Sequence, residues 1–234
     1  MLDAAFDALK KYDWGTDRAP LAPIEEAVTA TRGKPEARQD LENRLLAALK
    51  SDISRDAKDY VCRKLTLVGT AAAAPTLAGL LASKDLAHMA RFALERIPGA
   101  EAAQALRDAL PKLSGNLKIG AIGSIGARRD AAAVTALNGL LKDGDASVAR
   151  SAAMALANIG NAEAAKALQE AAPAAAETTQ AIVDAQLACA ESLLADNKKA
   201  DALAIYKSLA GEQQTKLVRL AATRGMLACA GKKE

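Results

Sequence analysis

The stretch Ala155-Leu-Ala-Asn-Ile-Gly160 places two aliphatic residues three positions apart and ends on a glycine. Three other stretches end alike: KLTLVG at Lys64–Gly69, ALERIPG at Ala93–Gly99 and AIGSIG at Ala121–Gly126. The pairs are Leu65 with Val68, Leu94 with Ile97, Ile122 with Ile125, and Leu156 with Ile159. A three-residue step keeps both members on one face of a helix. Between these endings a second pattern recurs: PTLAGLL at Pro75–Leu81, AQALRDAL at Ala103–Leu110, VTALNGLL at Val134–Leu141 and AAKALQEA at Ala164–Ala171. Aligning Leu77, Leu106, Leu137 and Leu168 gives spacings of 29, 31 and 31. A period near 30 with two apolar stripes is one helical hairpin per unit, and each hairpin hides its stripe only by stacking on the next copy. The expected fold is therefore all-α: a right-handed α-solenoid (an α-α superhelix) of about seven antiparallel helix pairs.

Composition agrees. Hydrophobic residues make up 51% of the 234 residues, yet aromatics only 3%. Alanine fills the difference at about a quarter of positions, against under about a tenth in an average chain. Alanine has the highest helix propensity and lets helices approach closely. The glycine after each aliphatic pair is expected to be a left-handed C-cap. Asp56, Asp85 and Asp145 are expected to cap the second helices of their units.

The run from Asp145 to Gly160 resembles the second helix of the HEAT family, D-x-x-V-R-x-x-A-x-x-A-L-x-x-I-G, with one extra residue before Arg150. The short period is similar to that of its phycobilisome-lyase type. Counting back from the aligned aliphatic, His88, Asp59 and Asn116 stand where Arg150 does, so no shared polar ladder is implied. The resemblance covers roughly Pro35 to Leu168. Ala188–Gly211 resembles the facing helices of a tetratricopeptide repeat, with a short turn at Asp196-Asn197. LACA recurs at Leu187–Ala190 and Leu227–Ala230, 40 residues apart, so the last pairs are longer. The expected organisation is one continuous solenoid domain: an N-terminal helical cap over 1–34, HEAT-like repeats over 35–168, and longer tetratricopeptide-like helices over 169–234. Atypical ends are expected, because terminal units must cover the exposed end of the stack.

The resemblance implies a binding scaffold. In HEAT stacks the second helices line the concave side, and here they carry many basic residues, with Asp59 and Glu95 among the interleaved acids. The candidate partner-binding residues are Arg63, His88, Arg91, Arg96, Arg150 and Trp14. Trp14 and Tyr12 lie in a loop where the ring is expected to plug the first helix pair, the other reading being an exposed anchor. His88 is the only histidine. It is expected to face solvent, and it excludes the multi-histidine metal sites of HEAT-like di-iron hydroxylases. Gly120, Gly123 and Gly126 lack the spacing of a dinucleotide fingerprint. They are expected to let a neighbouring helix approach, in the softest helix of the stack.

No nucleophile–base pair is visible, so no enzyme activity, cofactor or metal is expected. The three cysteines, Cys62, Cys189 and Cys229, show no CxxC spacing and read as small, buried core residues. The expected function is non-catalytic binding of a protein or peptide, of acidic character, on the concave face, as a module of a larger protein or alone. The alternative is a nucleic-acid-binding, DNA glycosylase-like protein. A net charge of +3 does not support it, and the aromatics do not cluster on second helices. A chromophore lyase is a further reading by fold analogy alone, and a structural spacer within a larger polypeptide reads the same in sequence as the scaffold. The chain is expected to be a monomer without membrane insertion. It is expected to be soluble, cytoplasmic by default, or exported if Met1 follows a removed leader. Similar HEAT segments occur in large exported bacterial proteins.

Overall fold

The computed structural model describes residues 1–172 and 176–231. Fourteen α-helices and no strand occur among them, which is enough for seven successive helix pairs along the sequence. The chain divides into two compact units, Met1–Ser124 and Ile125–Glu234. The first unit holds α1 (Leu2–Leu9), α2 (Ala22–Ala30), α3 (Pro35–Lys50), α4 (Arg55–Val68), α5 (Ala74–Ala78), α6 (Ala87–Arg96), α7 (Ala100–Ala109) and most of α8 (Gly115–Ala127). The second holds α9 (Val134–Leu140), α10 (Ala146–Ile159), α11 (Ala162–Gln169), α12 (Ala176–Ala195), α13 (Lys199–Leu209) and α14 (Lys216–Cys229). Residues 173–175 and 232–234, part of the expected tetratricopeptide-like segment, lie outside the described residues.

The repeat stripes are the core. Leu77, Leu106, Leu137 and Leu168 are all fully buried, and every member of the four aliphatic pairs is buried too. Second helices also abut one another: α4 packs on α6 in the first unit, and α10 on α12 in the second. First helices are short. Helix α5 has only five residues, extended at its start by a 3-10 turn at Ala71–Ala73.

Capping follows a register finer than the aspartates suggested. Ser54 accepts from the Ala57 N–H and Asp145 from the Ser147 N–H, while Ser83 accepts from the Leu86 N–H in the turn just before α6. Together with Ser114, which precedes α8, they are spaced 29, 31 and 31, the same steps as the buried leucines. Asp145 is thus a cap as expected. Asp56 and Asp85 are not: Asp56 sits inside the first turn of α4, paired with Arg55 at 3.0 Å, and the hydroxyls two positions earlier take the N–H groups. The first-helix segments are capped in the same register by Thr70, Asp130 and Asn161, which accept from the N–H groups of Ala72, Ala132 and Ala164. Each cap answers donors that the first turn leaves without helical partners.

Three of the four expected glycine C-caps are corrected. Gly160 alone ends its helix in the left-handed region, at φ 60°. Gly69 is extended, Gly99 has φ 103° but opens α7, and Gly126 lies within α8. Close approach explains two of them. A Cβ at Gly69 would lie 2.8 Å from Ile97 Cδ1, and one at Gly126 would lie 2.8 Å from Ala155 Cα. Glycine is there to admit the neighbouring unit, not to reverse the chain.

One clasp ties a repeat to the next. Arg38 on α3 donates to the carbonyls of Val68 (2.7 Å) and Gly69 (2.9 Å), the open end of α4. One turn further along α3, Glu42 is 1% exposed and accepts from the Thr70 N–H at 2.7 Å. A buried carboxylate is tolerated because charge-assisted bonds replace its water.

Candidate partner-binding surface

Successive second helices place equivalent residues side by side. Asp59 on α4 and His88 on α6, which occupy the same repeat position, line one shallow pocket of about 90 Å³ together with Arg63, Met89 and Phe92. Four-residue spacing sets each helix's contribution: Arg63 Nε donates to Asp59 at 2.9 Å, and Phe92 follows His88 one turn on. His88 and Arg63 are exposed, as expected for an outward row. The Arg96 guanidinium lies 3.8 Å from the Phe92 ring centroid, within cation–π range. Arg96 also pairs with Glu95 at 3.6 Å, and Glu95 accepts from the Ser124 hydroxyl at 2.7 Å.

Arg91 plays a different part. Its guanidinium fills the space that a Cβ at Gly120 would take, and its Nε is buried without a hydrogen-bond partner. Burial pushes its pKa below the usual arginine value, and Glu95 opposes that shift. The Gly120 step of the glycine series therefore houses a side chain. Gly126 meets the α10 backbone as expected, and a Cβ at Gly123 would meet nothing.

The other flank of α4 holds the plug, and Trp14 is not in it. Tyr60 is buried, its ring centroid lies 6.2 Å from that of Tyr12 at a tilt of 52°, and its hydroxyl donates to Glu25 at 3.1 Å. Lys64 lies 4.8 Å from the Tyr60 ring and pairs with Glu25. Trp14 is 86% exposed. Its backbone N–H donates to the Asp13 carboxylate at 2.8 Å, and the Thr16 hydroxyl closes the turn on the Asp13 carbonyl at 2.7 Å. The short turn is satisfied locally, so Tyr12 turns to Tyr60 and Trp14 is left exposed.

Of the six candidate residues the structure gathers Arg63 and His88 at the pocket, with Arg96 and Arg91 on the same α6. Arg150 is exposed on α10 in the second unit. Sequence reasoning missed Phe92 as a member of the site, because it expected no clustering of aromatics on second helices, where Tyr60 and Phe92 both lie. The available signal was the i, i+4 step from His88 to Phe92 and from Phe92 to Arg96. The basic wall is extensively ion-paired: Arg55, Arg63, Lys64 and Arg96 all have carboxylate partners.

Cys62 and Cys189 are buried, and burial pushes their thiols up to about 12 and about 11. Only Cys229 is partly exposed. Since the thiolate is the reactive form, DTNB at pH 8 is expected to titrate one thiol per native chain and three after denaturation. Two fast native thiols would show the first-unit or second-unit core to be open. Because burial disfavours the thiolate, the neutral thiols leave the fold at full stability below the ordinary value of 9.0. That stability falls as pH rises towards 11–12.

Among the described residues no group of three or more His, Cys, Asp or Glu is placed to hold a metal ion. None of the helices is long and apolar enough to cross a membrane.

With alternating helices, buried aligned leucines and capped units in view, the family match has a structural counterpart. The family model of HEAT repeats matches residues 103–186. The matched stretch begins in α7 and runs past Leu168 into α12, where Gln186 donates to the Leu168 carbonyl at 2.7 Å. No curated protein matches the chain in sequence. Among solved structures, the chain is similar to an engineered protein at 19% identity and a TM-score of 0.42, over 98% of this chain and 69% of that one. It is also similar to human deoxyhypusine hydroxylase in complex with glycerol, at 18% identity and a TM-score of 0.40, over 99% of this chain and 96% of that one.

Proposed function

We propose that this chain is a non-catalytic scaffold that holds a protein or peptide of acidic character against its second helices, the concave side of a HEAT stack. The observation that carries the reading is the row formed by Arg63, His88, Phe92 and Arg96 on α4 and α6, where an exposed guanidinium lies over a half-buried ring beside a small pocket. Arginine and aromatic side chains supply most hot-spot energy in interfaces. Repetition places such rows next to one another. Arg91 serves from beneath, packed into the Gly120 notch. Arg150 and Trp14 are further contact points within their own units. The role suits a module of a larger protein as well as a free-standing one.

A photo-crosslinking residue at His88 is expected to capture a defined partner in extracts of the source cell. The same residue at Gln104, on a first helix, is expected to give at least tenfold less product. The double variant Arg63→Glu/Arg96→Glu should lower the His88 yield at least tenfold without changing the thermal melt. Equal capture at both sites, or an undiminished yield in the charge variant, would end this reading.

A further inference from the structure

Helix α14 carries an apolar stripe that the described residues of the second unit leave exposed. Leu217 is 78% exposed, Leu220 57% and Leu227 40%. Steps of three and seven put them on one face of α14, with Arg224 between them. They are not misplaced core. The inner face of α14 is already filled by Val218, Ala222 and Gly225, all buried, and Gly225 leaves room for the Tyr206 ring. Leucines exposed at helical spacing mark an interaction face.

Charge along the file of second helices indicates what fits there. Helix α10 carries Arg150 and no acid. Helix α12, which packs on it, carries Glu177, Asp184 and Glu191 and no base. Helix α14, which packs on α12 in turn, carries Lys216, Arg219 and Arg224 and no acid. The order is basic, acidic, basic, so the next helix in file would be acidic. Opposite charge flanking an apolar seam selects both partner and orientation.

We infer that the outer face of α14, at Leu217, Leu220 and Leu227, docks an acidic amphipathic helix from a partner protein, seated as α12 sits on α10. This goes beyond the first-unit surface proposed above and uses none of its residues.

The test uses the intact chain and a labelled 20-residue helical peptide with leucines at i, i+3 and i+7 flanked by glutamates. Its counterpart has lysine at each glutamate. Fluorescence anisotropy is expected to show saturable binding of the acidic peptide that weakens with salt, and at least tenfold weaker binding of the lysine peptide. Leu217→Glu/Leu220→Glu should reduce binding at least tenfold with an unchanged thermal melt, since both positions are exposed. Arg63→Glu/Arg96→Glu should bind the peptide as the parent does, so failure of the first-unit reading leaves this one standing. Equal binding of the two peptides, or full binding by the leucine variant, overturns the inference. So does dimerisation by light scattering that the leucine variant abolishes, which would make a second copy the occupant. Binding to anionic phospholipid vesicles through the same leucines, without peptide binding, also overturns it.

Discussion

Leu106→Ala is expected to cost the fold about 2–5 kcal/mol, while Leu67→Ala costs less than about 0.5 kcal/mol. Leu106 is fully buried on α7, at the repeat position shared with Leu77, Leu137 and Leu168. Truncation there removes buried methyl groups and leaves a cavity, because helices fixed by their neighbours relax only partly. Short first helices make the loss worse, since α7 is ten residues long and draws little stability from propensity alone. Leu67 sits between the buried Leu65 and Val68 on α4 but is 61% exposed, so its alanine variant removes little burial. Urea unfolding followed by circular dichroism measures both. A Leu106 variant within about 1 kcal/mol of the parent would mean that the aligned leucines are not the core.

Two glycines three residues apart on α8 are expected to respond with opposite sign. Gly126→Val should destabilise by about 3 kcal/mol, towards the upper end of overpacking costs. The first added atom would stand 2.8 Å from Ala155 Cα, and backbone cannot swing aside as a flexible side chain can. Gly123→Ala should stabilise by about 0.5–1 kcal/mol. Its new methyl meets nothing within 4 Å, and the unfolded chain loses freedom it no longer needs to surrender. Thermal melts of the two single variants suffice. If both lower the midpoint, α8 is crowded on every side and the distinction between the two sites is wrong.

The parts of the fold legible in the sequence are those that burial repeats. Each unit must hide the same stripe, so Leu65 and Val68 announce themselves again at Leu94 and Ile97. The glycines read less well, because their reason lies in another unit: Gly69 answers to Ile97 and Gly126 to Ala155, about thirty residues away. Local rules favoured a left-handed cap at each, and only Gly160 obeys them. Caps were misplaced by two residues at Asp56 and Asp85 because a carboxylate near a helix start draws attention before a serine does. The candidate site was half visible. Charge marked Arg63 and Arg96, but Phe92 entered only when α4 and α6 were set side by side, since the pocket takes Asp59 and Arg63 from one and His88, Met89 and Phe92 from the other. Trp14 and Tyr12 were indistinguishable by composition. Tyr60, far along the chain, decided between them.

The polar caps at Asp130 and Asn161 stand 31 residues apart, and the left-handed Gly160 closes the segment between them. Excising 130–160 would join Arg129 to Asn161 and hand the following helix its own hydrogen-bond acceptor intact. Duplicating the segment would do the same in reverse. The second unit therefore has natural seams at which its length can change by whole multiples, so a lineage could add or remove a repeat there without inventing a new helix start.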